Sequence, residues 1–131
     1  MKLDLDPAGY VLGYTDSGEA PGVEYSGAVP EQFAETCRDY RLEAGALVLD
    51  PARAAAREAV HAAWEERTAL LAWFRWYDNQ CMQYQRALRR QEAFDRDITA
   101  LDAQAAASQA RMRALEQEYG GMIQDGETDE V

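Results

Sequence analysis

The stretch from Ala52 to Tyr119 contains no proline and no glycine. Alanine, arginine, glutamate and glutamine dominate it, and all four are strong helix formers. Asp50 precedes it as a good N-cap, since its carboxylate can accept hydrogen bonds from early backbone N–H groups. Pro51 suits the first helical position, because its missing N–H would have no partner there. Helix therefore dominates the predicted structure after Asp50.

Two seams of mostly apolar residues run through this stretch, each with alternating three- and four-residue steps. The first consists of Val60, Ala63, Arg67, Leu70, Phe74, Tyr77, Cys81, Tyr84 and Leu88. The second consists of Ile98, Leu101, Ala105, Ser108, Met112, Leu115, Tyr119 and Met122. The phase slips between them, so residues 89–95 either turn the chain into an antiparallel hairpin, with Asp95 as cap, or continue one long helix. We favour the hairpin, since each seam then buries the other.

The first half of the chain is broken by glycine and proline and alternates in polarity. Residues 2–14 predict a hairpin around the turn DPAG, and a short strand is expected at 23–25. Pro30 can open a short helix carrying Phe33, Cys37 and Tyr40 on one face, followed by two strands joined at Ala44-Gly45. The predicted fold is α+β and mostly α, with a small α+β module at 1–50, a long coiled-coil-like antiparallel helical hairpin at 51–119 and an acidic flexible tail at 120–131.

Residues with reaction chemistry are sparse. His61 is the single histidine, and Cys37 and Cys81 are far apart with no CxxC spacing, which argues against a zinc site. Neither cysteine has a histidine at a spacing that suggests activation. Asp4 and Asp6 are spaced like the start of a calcium loop, but the later ligands are missing, so a turn is expected. We expect a non-enzymatic protein with no catalytic residues, no metal and no cofactor.

The net charge of −11 disfavours direct binding to nucleic acid or to an anionic membrane. It suits a basic protein partner or mimicry of nucleic acid, and it also keeps a helical protein in solution. No apolar stretch approaches the ~20 residues that a bilayer span requires. The opening MKLDLDPAGYV has no apolar run, which is not the pattern of a secretory signal peptide. A cytosol, or an assembly built in one, is the expected location.

The segment WFRWYDNQCMQYQRALRR, residues 73–90, crowds aromatic side chains among arginines and glutamines. Most of these aromatics occupy seam positions, but Trp73 flanks the seam and Trp76 points away from it. Both are candidate interface residues, because an indole is costly to leave in water, unless the N-terminal module covers them. Arg86, Arg89 and Arg90 either complement the dipole of the helix C-terminus or form a docking point for an acidic partner.

Two segments together resemble small proteins encoded in tail modules of phages and prophages of Gram-positive bacteria. The first is GYVLGYTDSGEAPGVEYSGAVPEQFAETCRDYRLEAGALVLD, in which a hairpin precedes a G-x-L-V-L-D strand that leads into a helix. The second is LLAWFRWYDNQCMQYQRALRRQEAFDRDITALDAQAAASQARMRALE, with its WF..YD and FD.DI..LD patterns. The resemblance implies a component or assembly factor of a tail or baseplate, with no cofactor and no catalytic residues.

Two functional hypotheses follow. The first is a structural or assembly protein of a phage tail or baseplate, located in the virion tail or the host cytoplasm. It would bind other tail proteins or itself, and we expect a homo-oligomer. The second is an acidic phage-encoded inhibitor of a host defence nuclease, acting as a nucleic-acid mimic or in the manner of an anti-CRISPR protein. Its carboxylates are interleaved with arginines after Asp50, which argues against a clean mimic.

Overall fold

A computed structural model describes residues 1–16 and 21–123. The fold is α+β and mostly helical, as predicted. The chain forms two compact units, Met1–Glu58 and Ala59–Val131, referred to below as unit 1 and unit 2. The division falls after Glu58 rather than at the predicted residue 50. Arg57 accounts for part of this difference, because its Nε donates to Asp39 Oδ2 over 2.7 Å and ties the first turns of the long helix to unit 1.

Unit 1 contains two small antiparallel sheets and one short helical segment. Its elements are β1 (Lys2–Leu5), β2 (Val11–Thr15), β3 (Val23–Glu24), α1 (Phe33–Thr36) with a 3-10 turn at Cys37–Asp39, β4 (Tyr40–Glu43) and β5 (Ala46–Leu49). The first sheet has the order β2-β1-β3, and β4 pairs with β5 in the second. The predicted hairpin, the short strand and the final strand pair are therefore all confirmed.

Local turn chemistry explains both hairpins of unit 1. Asp6 Oδ1 accepts from the backbone N–H groups of Ala8 and Tyr10, each over 2.9 Å, which confirms a turn at the position that resembled a calcium loop. In the second hairpin Ala44 and Gly45 have φ values of 51° and 80°. Positive φ at both central residues matches the right-handed twist of the strands they join. The predicted turn at Ala44-Gly45 is confirmed.

The core of unit 1 consists of large apolar side chains from distant parts of the sequence: Leu3, Val11, Tyr25 and Phe33. The ring of Phe33 lies 5.2 Å from that of Tyr14 and 5.6 Å from that of Tyr40. The prediction that Phe33 and Tyr40 share one helix is wrong, because the helix ends early and Tyr40 begins β4. The two rings still meet, since the chain turns back across the 3-10 segment.

The long helix α2 spans Pro51–Arg90, and Asp50 caps it as predicted. Asp50 Oδ1 accepts from the backbone N–H groups of Ala52 (3.0 Å) and Arg53 (3.3 Å). The other carboxylate oxygen accepts from the hydroxyl of Tyr10 over 2.7 Å. That hydroxyl, together with the backbone donors, lowers the pKa of the Asp50 carboxyl.

In unit 2 the chain turns after α2 and returns as α3 (Ile98–Tyr119), so the hairpin prediction is confirmed. Gln91 adopts a left-handed conformation with φ 56°. Its N–H donates to Leu88 O over 3.2 Å, and that of Glu92 donates to Ala87 O over 2.9 Å. These two bonds form a Schellman motif, in which glutamine occupies the position that glycine usually takes.

The cap of α3 differs from the prediction. Asp97, rather than Asp95, accepts from the N–H of Ala100 over 3.1 Å. The helix therefore begins two residues later than expected, because the left-handed turn and the extended segment after it occupy residues 91–97. Phe94 nevertheless packs on α2, with its ring 5.4 Å from that of Tyr84.

The side-chain contacts between the two helices establish their antiparallel order. Moving along α2, the pairs are Glu66 with Arg111, Tyr77 with Asp102, and Tyr84 with Phe94. The residue number of the partner decreases as the residue number on α2 increases, as expected for an antiparallel hairpin.

The residues of the two predicted seams are buried or half-buried except for the last residue of each. In α2 the most buried residues are Ala63, Arg67, Gln80 and Ala87. The line of burial thus moves off the predicted seam after Tyr77, and Leu88 is 54% exposed. At the end of the second seam, Met122 is 60% exposed and Ile123 is fully buried. Gly120–Ile123 forms a 3-10 helix, whose tighter rotation per residue places Ile123 inward instead.

Residues 120–123, assigned to the acidic tail in the sequence analysis, are therefore an ordered continuation of unit 2. Ile123 belongs to a core cluster with Ala63 and Leu115. The remainder of that predicted tail lies outside the described residues. Across residues 1–16 and 21–123, no helix is both long enough and apolar enough to cross a bilayer.

Candidate protein-interaction surface

Trp73 is half-buried within a cluster of rings on α2. Its indole stacks on the ring of Tyr77 at 5.2 Å with an interplanar angle of 9°, and it meets Phe74 edge-on at 5.4 Å. Aromatic pairs at these distances contribute about 0.5–1.5 kcal/mol beyond their buried area. Trp73 is therefore partly engaged in packing within unit 2.

Trp76 is also half-buried, and a cation covers part of it. The guanidinium carbon of Arg96 lies 5.0 Å from the centre of the Trp76 ring, a distance at which a cation is attracted to the face of an indole. Arg96 comes from the segment that joins α2 to α3, so this contact links the segment to the first helix of the hairpin. Both predicted tryptophans thus have partners in unit 2.

Tyr77 connects the ring cluster to α3. Its hydroxyl donates to Asp102 Oδ1 over 2.6 Å. The hydrogen bond to this carboxylate raises the pKa of the Tyr77 phenol, with a further contribution from Cys81, because ionising the phenol would place a second negative charge beside Asp102. Phe74, Tyr77 and Tyr84 are all half-buried. The crowded aromatics of residues 73–84 therefore serve mainly to hold the hairpin together.

The end of α2 presents a different surface. Arg86, Arg89 and Arg90 are all exposed there. A shallow groove of about 350 Å³ runs between side chains of this helix face and is lined by Cys81, Met82, Gln85, Arg86 and Arg89. Two apolar side chains in this region are more than half exposed, Met82 at 55% and Leu88 at 54%.

These groups follow one another around the outward side of α2. At 3.6 residues per turn their positions cover about 200° of the helix, with Leu88 and Arg90 at the two edges. We call this face the arginine surface, defined as Cys81, Met82, Gln85, Arg86, Leu88, Arg89 and Arg90. It combines exposed apolar area with positive charge, and the structure places all three predicted arginines on it. Trp73 and Trp76 belong to the ring cluster instead.

The three arginines of the arginine surface differ from several others in the chain. Arg57 pairs with buried Asp39, Arg41 pairs with Glu43, and Arg111 donates two hydrogen bonds to the carboxylate of Glu66. Among residues 1–16 and 21–123, no carboxylate lies within 4.0 Å of the guanidinium groups of Arg86, Arg89 and Arg90. Their charges are thus available to a partner.

Met82 and Gln85 are members of this surface that were not predicted from the sequence, and Leu88 was wrongly assigned to the seam. The available signal was the spacing of Met82, Gln85 and Arg89, which recurs at helical steps on a face other than the seam. To recognise that face from the sequence, one must know which side of α2 is buried near the end of the helix. The sequence predicted that phase one residue too late, at Cys81 and Leu88 instead of Gln80 and Ala87.

Unit 1 has a cavity of about 190 Å³ lined by Tyr10, Arg41, Val48, Leu49, Asp50 and Pro51. The Asp50 carboxylate is occupied by Tyr10 and by the N-terminus of α2, and the guanidinium carbon of Arg53 lies 3.3 Å from the centre of the Tyr10 ring. These contacts stabilise the start of the helix. Within the described parts of the chain, no three histidine, cysteine, aspartate or glutamate side chains are grouped as metal ligands.

No protein-family model, curated protein or solved structure matches this chain. Its function is therefore inferred from the physical character of its surfaces. The arginine surface contains methionine and arginine, two residue types that are enriched where proteins meet other proteins.

Proposed function

We propose that this chain is a non-enzymatic structural or assembly protein of a phage tail or baseplate, acting through protein–protein contacts on its arginine surface. The observation that carries the proposal is the exposure of Met82 and Leu88 beside Arg86, Arg89 and Arg90, whose guanidinium groups are available to a partner.

The energetics of this surface favour a binding role. Burying an apolar side chain contributes about 1.5–3 kcal/mol when the side chain goes from fully exposed to fully buried. Met82 and Leu88 retain about half of that exposure, so a partner that covers both gains a substantial fraction of it. Arginines at the edge of such a contact add selectivity for an acidic partner, because charge complementarity rejects basic surfaces.

The assignment to a tail or baseplate is supported by the resemblance of the two sequence segments to tail-module proteins. In the structure, β5 leads directly through Asp50 into α2, and this strand-to-helix order agrees with the G-x-L-V-L-D pattern of that resemblance. The second segment supplies the ring cluster and the turn of the helical hairpin. The two segments that carry the resemblance therefore both supply elements that pack within the fold.

The proposal is tested by co-purifying the chain with the proteins encoded in the same tail module, followed by light scattering of each complex. We expect Met82→Ser with Leu88→Ser to weaken the complex at least tenfold, while Leu12→Ser in unit 1 leaves it unchanged. Leu12 is a matched control because it is also an exposed leucine. A complex that is insensitive to the paired substitution, or the failure of every tail-module protein to bind, would contradict the proposal.

The net charge of −11 supports a second candidate, an inhibitor that occupies the basic groove of a defence nuclease. Several carboxylates that a mimic would present are instead paired with arginines, including Asp39, Glu43 and Glu66. Inhibition of a nuclease that weakens steeply with salt and survives Met82→Ser with Leu88→Ser would favour this candidate over the first.

A further inference from the structure

The chain itself contains a segment whose charge complements the arginine surface. Residues 124–131, with the sequence QDGETDEV, carry four carboxylates and no cation. We call them the acidic segment, and they lie outside the described residues. The segment follows Ile123, whose buried side chain fixes the point from which it departs.

We infer that the arginine surface of one copy binds the acidic segment of a second copy, so that the protein self-associates head to tail. This inference rests on the proposed function, because it names one partner of the same surface. Three observations support it: complementary charge, the distance between the two parts within one copy, and the like charge that two arginine surfaces would bring together.

Within its own chain, the acidic segment can bring only its last glutamate towards Arg86, and only when it is fully extended. Ile123 packs with Ala63, and at ~1.5 Å per residue Arg86 lies about 35 Å further along α2. Glu130 is seven residues beyond Ile123, so a fully extended backbone spans about 25 Å at most, and the side chains of Glu130 and Arg86 cover roughly the remaining 10 Å. The carboxylates nearer Ile123 fall short of Arg86. Contact of all four carboxylates with the arginines therefore requires a second copy.

A symmetric pairing of two arginine surfaces is disfavoured, because each would bring Arg86, Arg89 and Arg90 towards the same three cations of the other. Joining the surface to the acidic segment avoids that repulsion. Such a contact uses different patches on the two copies. It therefore produces a reciprocal dimer, in which each copy binds the segment of the other, or a larger ring or extending chain.

The experiment is light scattering of the full chain over a range of concentrations, at low and high salt. We expect the mean mass to rise above the monomer's 14.7 kDa with concentration, and to fall back towards it near 1 M salt, where the Debye length shrinks to about 3 Å. Two variants are compared with it: a truncation after Ile123, and Arg86→Glu with Arg89→Glu and Arg90→Glu. Each should remain a monomer.

Mixing the two variants gives the sharpest readout. The truncated chain keeps the arginine surface, and the glutamate variant keeps the acidic segment, so an equal mixture should form a one-to-one heterodimer and nothing larger. The matched controls are Arg86→Lys with Arg89→Lys and Arg90→Lys, which keeps the charge, and Arg113→Glu, which reverses the charge of an exposed arginine on α3. Both should self-associate like the parent chain.

A full chain that stays monomeric at every concentration, or a truncation after Ile123 with unchanged mass, would overturn the inference. In either case, tail-module proteins that still bind through Met82 and Leu88 would leave the proposed function intact. If the arginine and apolar substitutions alter neither self-association nor the binding of tail-module proteins, both proposals fail together.

Discussion

The two units of this chain are held together by different kinds of core. Unit 1 buries Leu3, Val11, Tyr25 and Phe33, which are large side chains brought together from distant parts of the sequence. Unit 2 buries mostly small or polar side chains along its two helices: Ala63, Arg67, Gln80, Ala87 and Ala105, with Leu115 and Ile123 near one end. Two units with similar proportions of apolar residues therefore bury very different kinds of side chain.

The difference shows how a helical hairpin can fold and still keep binding area. Small residues such as Ala87 and Ala105 face inward, while large side chains such as Met82 and Leu88 remain outside. Polar contacts between the helices, including Tyr77 with Asp102 and Glu66 with Arg111, add directional contacts where apolar area is limited. Unit 1 places its largest side chains inside, yet it also leaves apolar side chains such as Leu12, Val48 and Leu49 exposed. What distinguishes the surface of unit 2 is that Met82 and Leu88 lie near a group of arginines.

The largest expected effect comes from Phe33→Ala. Removing a ring that is only 3% exposed should cost about 3–5 kcal/mol of unfolding free energy, because it leaves a cavity among large neighbours. Hydrogen exchange followed by mass spectrometry should show faster exchange across 2–49 than across 60–119. Leu12→Ala, at an exposed site, is the control and should change exchange little. Equal acceleration in both units would break the distinction between the two cores.

A smaller gain in stability is expected from Gln91→Gly at the turn of unit 2. A non-glycine residue in the left-handed region costs about 1 kcal/mol, so glycine should stabilise the hairpin by up to that amount. The control is Gln109→Gly in the middle of α3, which should destabilise by about 1 kcal/mol. Urea unfolding measures both changes. If the two substitutions shift stability in the same direction, the turn geometry described above is wrong.

The smallest expected effect concerns pH and the cap in unit 1. The hydrogen bond from Tyr10 lowers the pKa of Asp50 below its unfolded value of ~3.9, so its stabilising contribution is complete above that value. The contribution is lost as pH falls through the lower folded pKa. Tyr10→Phe should therefore raise the pKa of Asp50, as measured by carboxyl NMR titration. An unchanged Asp50 titration would show that the Tyr10 hydroxyl does not stabilise the carboxylate.

Features governed by neighbouring residues were predictable from the sequence. The N-cap at Asp50, the turn at Ala44-Gly45 and the strands beside it depend on interactions within a few residues. The long stretch without glycine or proline predicted the helices, and the phase slip between the seams predicted the hairpin. Each of these inferences needs only the local chemistry of the chain and the helical or strand period.

Features governed by how elements meet were not predictable. Gln91 adopts a left-handed conformation that its own side chain does not favour, and the turn it makes moves the cap from Asp95 to Asp97. The buried line of α2 shifts to Gln80 and Ala87 because α3, rather than a strict seven-residue repeat, decides which face is covered. The arginine surface was therefore only partly predicted: its arginines were named, but Met82 and Gln85 were not.

All three tryptophans, Trp64, Trp73 and Trp76, lie on the part of α2 that belongs to unit 2. Indole emission is consequently a native optical label for the helical hairpin alone, with no dye or engineered probe required. Since Arg96 lies against the Trp76 ring, opening of the inter-helix segment should alter that emission before either helix melts. Stopped-flow mixing can then time the loosening of this end of the molecule separately from unfolding elsewhere.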